Sequence, residues 1–527
     1  MTIKNYSIYG FLSACLFLIS CNDDFLDKQR TDALSTETYW VSEENAEMAV
    51  NSCYGFFGDE WWTTFLTCAT DDSYAWSDWP CDIKYVPEGS ATTSLGTFKH
   101  FWGDNPYKAI AAANNVIDNI DQVPDMDNDT RARFAAEARF VRAYAYQHLI
   151  GYYGDVPLIK HVQNDPSEYD VSRTPKDSIV DFIVSEIDDF ANDLPEAYDA
   201  SEWGRATKGA ALALKARTLL YDGQWSEAAD AAKAVVDLGI YSIDPDFGSL
   251  FDGSNENSSE IILSAQYTST YKSSLATWTG GPTLSGWSEV VPLQSLVDAY
   301  ECTDGKTIDE SPLYDPEHPF ENRDPRLDLT IILPGDVVNG NTIDVTADGS
   351  ADGLGKSNAS YSGYYYKKYV PTEISGSYDA NCTNDIILFR YAEVLLIYAE
   401  GKIEANDIDQ SVYDAINEVR GREDVQMPEI TSGKSQSELR EIVRRERRVE
   451  FAMEEERFFD IRRWKIAEDV IPGQVYGILN NYDPDRSDYG SHVLVGTRVF
   501  NANRDYLWPV PQSEMDLNEN LVQNPNW

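Results

Sequence analysis

Residues 69–80 combine tryptophan, tyrosine and aspartate in one short segment that has no amphipathic period. Sugars present flat C–H faces and rings of hydroxyl groups, so their binding sites combine an exposed aromatic ring with groups that accept hydrogen bonds. A buried segment would not scatter carboxylates among its aromatic rings without partners for them. These residue types predict an exposed ligand-binding loop; the alternative is that its side chains only fold the loop down. The candidate platforms and hydroxyl acceptors are Tyr74, Trp76, Trp79, Asp71 and Asp72.

A second pair of candidate aromatic residues lies in a segment rich in Gly, Ser and Thr. Trp278 and Trp287 stand at either side of a Gly-Gly-Pro turn in this segment. Loops on a rigid scaffold are where binding residues are concentrated, so we take both side chains as further ligand platforms, with packing as the alternative. Tryptophans in helical contexts are instead expected in the core, and these are Trp40, Trp102, Trp203, Trp225, Trp464 and Trp508.

The sequence contains no recognisable catalytic motif. It has no HExxH, no GxSxG, no phosphate-binding loop and no GxGxxG that opens a helix. With 89 acidic residues, a glycosidase-like pair of carboxylates is expected by coincidence. We therefore expect a binding protein with no catalytic residue, no metal centre and no cofactor, except that Asp-rich turns at residues 244–246 or 315–317 could hold a structural calcium ion.

The charge balance argues against nucleic acid as a partner. The chain carries 89 acidic and 42 basic residues, a formal net charge of -47, whereas binding to a phosphate backbone needs clustered Lys and Arg. The one locally basic run, residues 444–448, has a Glu inside it. We expect this run to form salt bridges between neighbouring turns on the surface of a helix.

The N-terminus has the features of a lipoprotein signal. Residues 8–19 form an apolar run that is too short to span a bilayer, and residues 18–21 resemble a bacterial lipobox ending in Cys21. We expect cleavage before Cys21 and attachment of lipid to its thiol, so residues 1–20 are a signal peptide. The polar, acidic residues 22–24 resemble the surface-export signal of Bacteroidetes lipoproteins.

The cysteines do not predict a disulfide framework. Cys15 lies in the signal peptide and Cys21 is the expected lipid site, so five of the seven Cys residues remain. Because that number is odd, at least one thiol stays unpaired, and a single pair among the first three is left open. The remaining cysteines are Cys53, Cys68, Cys81, Cys302 and Cys382.

Helical periodicity predicts the scaffold that must position the candidate residues. Residues 207–239 read as two antiparallel helices joined at Asp222 and Gly223, with small residues where the helices cross. This unit of about 34 residues matches a tetratricopeptide repeat, and such repeats stack to bury one continuous core. The other predicted hairpins cover residues 133–194, residues 387–422, and residues 43–58 together with 104–120.

The fold class that follows is predominantly α. We predict four tetratricopeptide-like helical hairpins that form a superhelical scaffold with a large, irregular, loop-rich insert. Residues 21–527 are predicted to be a single domain. Within it, we place helical repeats at about 43–239 and 386–465, the ligand-loop insert at about 240–385, and a C-terminal segment at 466–527.

Several separated blocks of the sequence resemble the SusD/RagB family and occur in the same order as in that family. The strongest lies between residues 444 and 464, where Arg, Glu and aromatic residues alternate. Together the blocks extend over nearly the whole chain. They are residues 21–27, 136–144, 153–158, 205–210, 322–327, 389–395, 444–451, 457–464, 507–512 and 523–527.

The resemblance implies a lipid-anchored protein on the outer membrane at the cell surface that captures an oligosaccharide. It also implies that the protein is a hinged lid on a SusC-like TonB-dependent transporter, which imports the ligand. Family members place their ligand-binding aromatic residues in an early loop and in the insert, which matches both tryptophan-bearing segments by region. Two alternatives stay open: a peptide-capturing lid of the RagB kind, and an enzyme that acts on the same glycan.

Overall fold

Helices dominate the regular structure of the protein. The computed structural model describes residues 39–346, 350–371 and 382–527, so Cys21 and the signal peptide lie outside the described residues. The helices are α1 (Glu43–Tyr54), α2 (Glu60–Thr64), α3 (Gly96–Lys99), α4 (Lys108–Asn119), α5 (Asn128–Tyr153), α6 (Lys176–Phe190), α7 (Lys208–Asp222), α8 (Trp225–Val236), α9 (Leu275–Thr279), α10 (Gln294–Ala299), α11 (Arg326–Thr330), α12 (Tyr391–Glu404), α13 (Gln410–Arg420), α14 (Gln436–Glu450), α15 (Glu456–Arg463), α16 (Ala467–Val470) and α17 (Gln512–Leu517).

The strands are short and pair two at a time. All five pairs are antiparallel: β1 with β3, β2 with β8, β4 with β7, β5 with β6, and β9 with β10. The strands are β1 (Ser73–Ala75), β2 (Ile261–Ala265), β3 (Val290–Pro292), β4 (Ile331–Ile332), β5 (Val337–Val338), β6 (Asn341–Thr342), β7 (Tyr365–Tyr366), β8 (Ile386–Arg390), β9 (Gly473–Leu479) and β10 (His492–Arg498).

Four helical hairpins form the scaffold, which confirms the predicted fold class. The paired helices are α1 with α4, α5 with α6, α7 with α8, and α12 with α13, and successive hairpins pack against one another. The Thr207 side chain caps α7 by accepting a hydrogen bond from the Ala210 N–H, and Gly223 ends the helix with a φ of 81°. A Cβ at Gly401 would lie 2.7 Å from the Trp225 carbonyl oxygen, so glycine lets α12 approach α8 closely.

The Arg- and Glu-rich run of α14 faces the interior, which corrects the prediction of salt bridges on a helix surface. Glu446 and Glu450 are buried, and they accept hydrogen bonds from Arg326 (2.5 Å) and Arg390 (2.6 Å), which lie outside the helix. Arg326 also donates to Asp324 (2.7 Å) and so fastens its own loop. Arg326 and Arg390 thus connect the insert and the hairpins to α14 through buried charges. The spacing of Arg and Glu within the helix does not reveal these distant partners.

The cysteines of the described chain contribute to packing. Cys53, Cys68 and Cys81 are buried free thiols, so the disulfide left open among them does not form in this structure. Burial raises the pKa of Cys53 and that of Cys81 to about 12, which keeps both thiols protonated and unreactive.

Neither a metal cluster nor a membrane-spanning helix is found in the described part of the chain. Among those residues, no group of three or more His, Cys, Asp or Glu side chains could hold a metal ion. The calcium ion considered for the Asp-rich turns stays a prediction. No helix within residues 39–346, 350–371 and 382–527 is both long enough and apolar enough to cross a bilayer.

Candidate functional site

Three tryptophans from the two predicted segments meet at the surface. The ring centroids of Trp79 and Trp287 are 5.5 Å apart, those of Trp79 and Trp278 are 5.7 Å apart, and those of Trp278 and Trp287 are 5.3 Å apart. Trp79 is 59% exposed, whereas the other two rings are half-buried and support it from below. We call these three residues the indole cluster. An exposed ring of this size on an aromatic base is a surface suited to stacking against a ligand.

Strand pairing brings the two segments together. Tyr74 of β1 lies opposite Val291 of β3, which places the loop after β1 beside the residues before β3. The Ser77 N–H donates a hydrogen bond of 2.9 Å to the Glu289 carboxylate and so ties this loop to the insert. The Trp79 N–H in turn donates to the Ser77 hydroxyl at 3.0 Å. The exposed ring is therefore held by a fastened loop and is already ordered before a ligand binds.

Glycines shape the turn that carries the other two rings. The Trp287 N–H donates to the Thr277 carbonyl at 2.7 Å, so the segment folds back on itself. A Cβ at Gly286 would lie 2.0 Å from the Gly280 carbonyl oxygen, which no other residue type could tolerate without moving the backbone. These glycines are needed because they let Trp278 and Trp287 face each other across the turn.

A second aromatic surface lies beside the indole cluster. Trp76 stacks on Tyr361 with ring centroids 5.7 Å apart and planes 9° apart, and Tyr74 lies 6.3 Å from Tyr361. Tyr361 is half exposed, so the stacked pair presents a flat face at the surface. Sequence reasoning missed Tyr361, because a single Tyr among 32 in a loop-rich region carries no local signal.

Two carboxylates lie close to the aromatic rings. Glu289 is buried beneath the loop, and burial raises its pKa to about 7, with the Asp78 carboxylate adding to the effect. Asp78 is exposed, and it accepts a hydrogen bond from the Tyr85 hydroxyl at 2.7 Å. Asp78 is therefore the carboxylate of this segment that a ligand hydroxyl can reach.

The structure corrects the predicted roles of Asp71 and Asp72. Both side chains are buried rather than directed at solvent. Arg457 donates two hydrogen bonds to Asp71, at 2.9 and 2.8 Å, and the Arg448 Nε donates to Asp72 at 2.8 Å. Burial opposes ionisation of Asp71, but the Arg448 and Arg457 guanidiniums outweigh it and hold the pKa of Asp71 below its usual range. These carboxylates are paired with arginines and anchor the base of the loop. We therefore exclude them from the proposed binding site.

One of the tryptophans expected in the core is at the surface. Trp40, Trp102, Trp464 and Trp508 are buried, in agreement with their helical contexts, and Trp225 is partly buried against the core. Trp203 is 36% exposed, because it lies in the loop before α7 and not in the helix.

Comparison with known proteins supports one family over both halves of the chain. The profile of the SusD family matches residues 249–527, and a profile described as starch-binding, associating with outer membrane, matches residues 24–220. A SusD-like protein P2 from Formosa agariphila is 27% identical over 99% of this chain and 99% of its own. The starch-binding protein SusD of Bacteroides thetaiotaomicron is 26% identical over 77% of this chain and 75% of its own.

A solved structure agrees with these matches. The crystal structure of a SusD-like carbohydrate-binding protein from Bacteroides fragilis superposes with a TM-score of 0.85 and 33% identity, and covers 92% of this chain and 100% of that one. The helical hairpins, the irregular insert and the two profile matches thus agree. The chain belongs to the SusD family.

Proposed function

We propose that this protein binds an oligosaccharide at the indole cluster and does not transform it. The observation that carries the proposal is the position of Trp79, a largely exposed ring that two further tryptophans support. A sugar ring stacks its C–H face on such a platform and directs its hydroxyls to the side. Relatives named as carbohydrate-binding and starch-binding proteins support the same ligand class.

The neighbouring polar groups fit the recognition of hydroxyls. Asp78 accepts hydrogen bonds at the edge of the cluster, and Ser77 carries a hydroxyl between Trp76 and Trp79. The flat pair of Trp76 and Tyr361 extends the aromatic surface, so several sugar units of one chain can be contacted at once. Binding by stacking on an open surface suits a polymer fragment, because the ligand is free to extend beyond the site at both ends.

The cellular role that we propose is delivery of the captured glycan to a transporter. The protein would be held on the outer membrane at the cell surface through lipid on Cys21 and would act as a hinged lid on a SusC-like TonB-dependent transporter. The matched profile described as associating with outer membrane supports the location. In a Bacteroidetes host, Cys21→Ser should shift the protein from the membrane fraction to the soluble fraction, and unchanged fractionation would contradict the lipid anchor.

Calorimetry on the mature protein tests the proposed ligand. Maltooligosaccharides and a panel of soluble plant and microbial polysaccharides should give binding heat, and a panel of peptides should give none. Heat with peptides alone would favour the RagB-like alternative, and release of reducing sugar from a bound glycan would revive the enzyme alternative.

Two variants test the proposed site. An aromatic contact contributes about 1 kcal/mol to binding. Removing it by Trp79→Ala or Trp278→Ala should therefore weaken glycan binding about fivefold or more. Tyr489→Ala is the control, because Tyr489 is a 52% exposed aromatic residue in the loop between β9 and β10 and belongs to neither set of proposed contact rings. If both Trp variants bind as tightly as the parent protein, the site is elsewhere.

A further inference from the structure

An open cleft of about 730 Å³ lies on the scaffold and shares no lining residue with the indole cluster. It is enclosed by the end of α1, the loop before α7 and the segment after β2. Its volume falls in the range of roughly 300–1,000 Å³ that is usual for ligand sites. Trp203 and Tyr271 line it, and both rings are partly open to solvent.

The loop that carries Trp203 is fixed by charge pairs. Arg205 pairs with buried Glu137 at 2.9 Å and with Glu47 at 2.8 Å, and Arg133 pairs with Glu202 at 2.6 Å. These pairs hold Glu202 and Arg205, the residues on either side of Trp203 and Gly204, so the backbone that carries the indole ring is fixed. The exposed part of a ring that is held in this way is available for a ligand.

Gly204 adds a steric reason for the position of this ring. Its φ is 89°, and a Cβ at this residue would lie 2.7 Å from the Gln266 side chain. The positive φ favours glycine at this position, and the missing side chain lets the loop lie close to the Gln266 side chain. Trp203 and Gly204 also line a smaller adjoining cavity of about 220 Å³, so the ring stands as a ridge between two openings.

The segment after β2 presents Tyr271 within the same cleft. The Thr268 N–H donates to the Tyr271 carbonyl at 2.6 Å, and the Tyr271 N–H donates to the Thr268 hydroxyl at 3.2 Å, which closes a tight turn. Tyr271 is 76% exposed at this turn, so its ring has no packing role in the described structure. The exposed amide side chains of Asn51 and Gln266 line the same cleft.

Like the indole cluster, the cleft combines aromatic rings with neighbouring polar groups, which here are amides. Two chain segments, residues 58–65 and 271–278, connect the regions, and each spans at most roughly 25 Å even when fully extended. Gly58 lines the cleft, and Phe65 contacts Trp278 with ring centroids 5.9 Å apart. One glycan chain of several sugar units could therefore contact both regions.

We infer that the cleft at Trp203 and Tyr271 is a second carbohydrate subsite that binds the distal part of the same glycan chain. The inference rests on the proposed function for its ligand class. A second contact on a connected ligand raises affinity only when the ligand reaches both sites. Long oligosaccharides are therefore bound more tightly than short ones, and the cleft is responsible for the difference.

The test compares two ligand lengths on single variants of the mature protein. Maltotriose and maltoheptaose are titrated by calorimetry, or a short and a long fragment of whichever panel polysaccharide binds. We expect Trp203→Ala and Tyr271→Ala to weaken binding of the long ligand at least fivefold while binding of the short ligand stays unchanged. Trp203→Phe should restore binding of the long ligand, because it keeps a flat ring. Trp79→Ala should weaken binding of both lengths, and Tyr489→Ala should change neither.

The outcomes separate the two proposals. If the Trp203 and Tyr271 variants bind the long ligand like the parent while Trp79→Ala loses affinity, the second subsite is refuted and the indole cluster stands. If only the Trp203 and Tyr271 variants lose affinity, the cleft is a glycan site and the indole cluster is not. If no glycan of either length binds, both proposals are overturned. Circular dichroism of each variant confirms that the fold is kept.

Discussion

Asp71→Asn tests whether the buried acidic residues of the aromatic loop hold the fold or the ligand. The substitution keeps the shape of the side chain and removes the charge that Arg457 and Arg448 neutralise, with Arg448 Nη2 2.9 Å from Asp71. Removing one partner of a buried pair costs about 3–5 kcal/mol. Asp72 offsets part of this loss: burial and then the Asp71 charge raise its pKa, so it ionises more readily once Asp71 is neutral. We therefore expect a loss of about 3 kcal/mol, the lower end of that range.

The lowered pKa of Asp71 also determines how the loss of stability in Asp71→Asn depends on pH. The pKa of Asp71 in the folded protein lies below its usual range, so its stabilising contribution is present above the unfolded pKa of about 3.9 and is lost as the pH falls further. Urea unfolding of parent and variant should give a constant difference in unfolding free energy between pH 8 and pH 5. The difference should shrink below about pH 4, the unfolded pKa of an Asp side chain.

Binding of maltoheptaose, or of another glycan that the parent binds, completes the experiment. Because Asp71 makes no surface contact, folded Asp71→Asn should bind within about threefold of the parent, a difference below 1 kcal/mol. Asp78→Asn is the matched control from the same segment, since Asp78 is exposed, and its loss of stability should stay below about 0.5 kcal/mol. Unchanged stability of Asp71→Asn together with lost binding would refute the structural role and restore Asp71 as a hydroxyl acceptor.

Three further predictions concern the scaffold and the turn beneath the indole cluster. Glu450→Gln should lower the unfolding free energy in urea by about 3–5 kcal/mol, because buried Arg326, Arg390 and Arg422 lose a charged partner. Lys233→Ala is the control: Lys233 forms an exposed pair with Asp237, and its loss should change the unfolding free energy by less than about 0.5 kcal/mol. Gly286→Ala should lower it by about 1–3 kcal/mol and change the tryptophan fluorescence, because the new Cβ collides with the backbone across the turn. Burial raises the pKa of Glu289 from 4.5 to about 7, so its protonated form contributes stability that is fully present below pH 4.5 and is lost as the pH rises from there through 7. Glu289→Gln should therefore match the parent near pH 4 and exceed it at pH 8 in the same assay.

The helical scaffold could be predicted because its signals are local. Periodic small and apolar residues, a capping Thr207 and a terminal Gly223 all lie within one hairpin, and the structure keeps them there. The partners of α14 could not be predicted in the same way. Arg326 and Arg390 reach Glu446 and Glu450 across more than 50 residues of sequence, so spacing within the helix carries no information about them.

The candidate site could be predicted by region but not by residue role. The two tryptophan-bearing segments do converge, which the residue types suggested and strand pairing explains. The sequence could not separate Asp72, which pairs with a distant arginine, from exposed Asp78 in the same segment. It also could not reveal the exposure of Trp203, because a tryptophan that lies just before a helix looks like part of that helix.

Asp71 and Asp72 connect the scaffold to the proposed binding surface. Helices α14 and α15 supply Arg448 and Arg457, which hold the chain immediately before β1. Strand β1 then fixes the loop that ends in Trp79, so the exposed ring stands on a base that buried charges hold to the hairpins. Because this base is ordered before the ligand arrives, binding loses little conformational entropy, and stacking energy can appear as affinity. In the proposed site, the acidic residues thus favour binding through the position of the loop and do not contact the ligand.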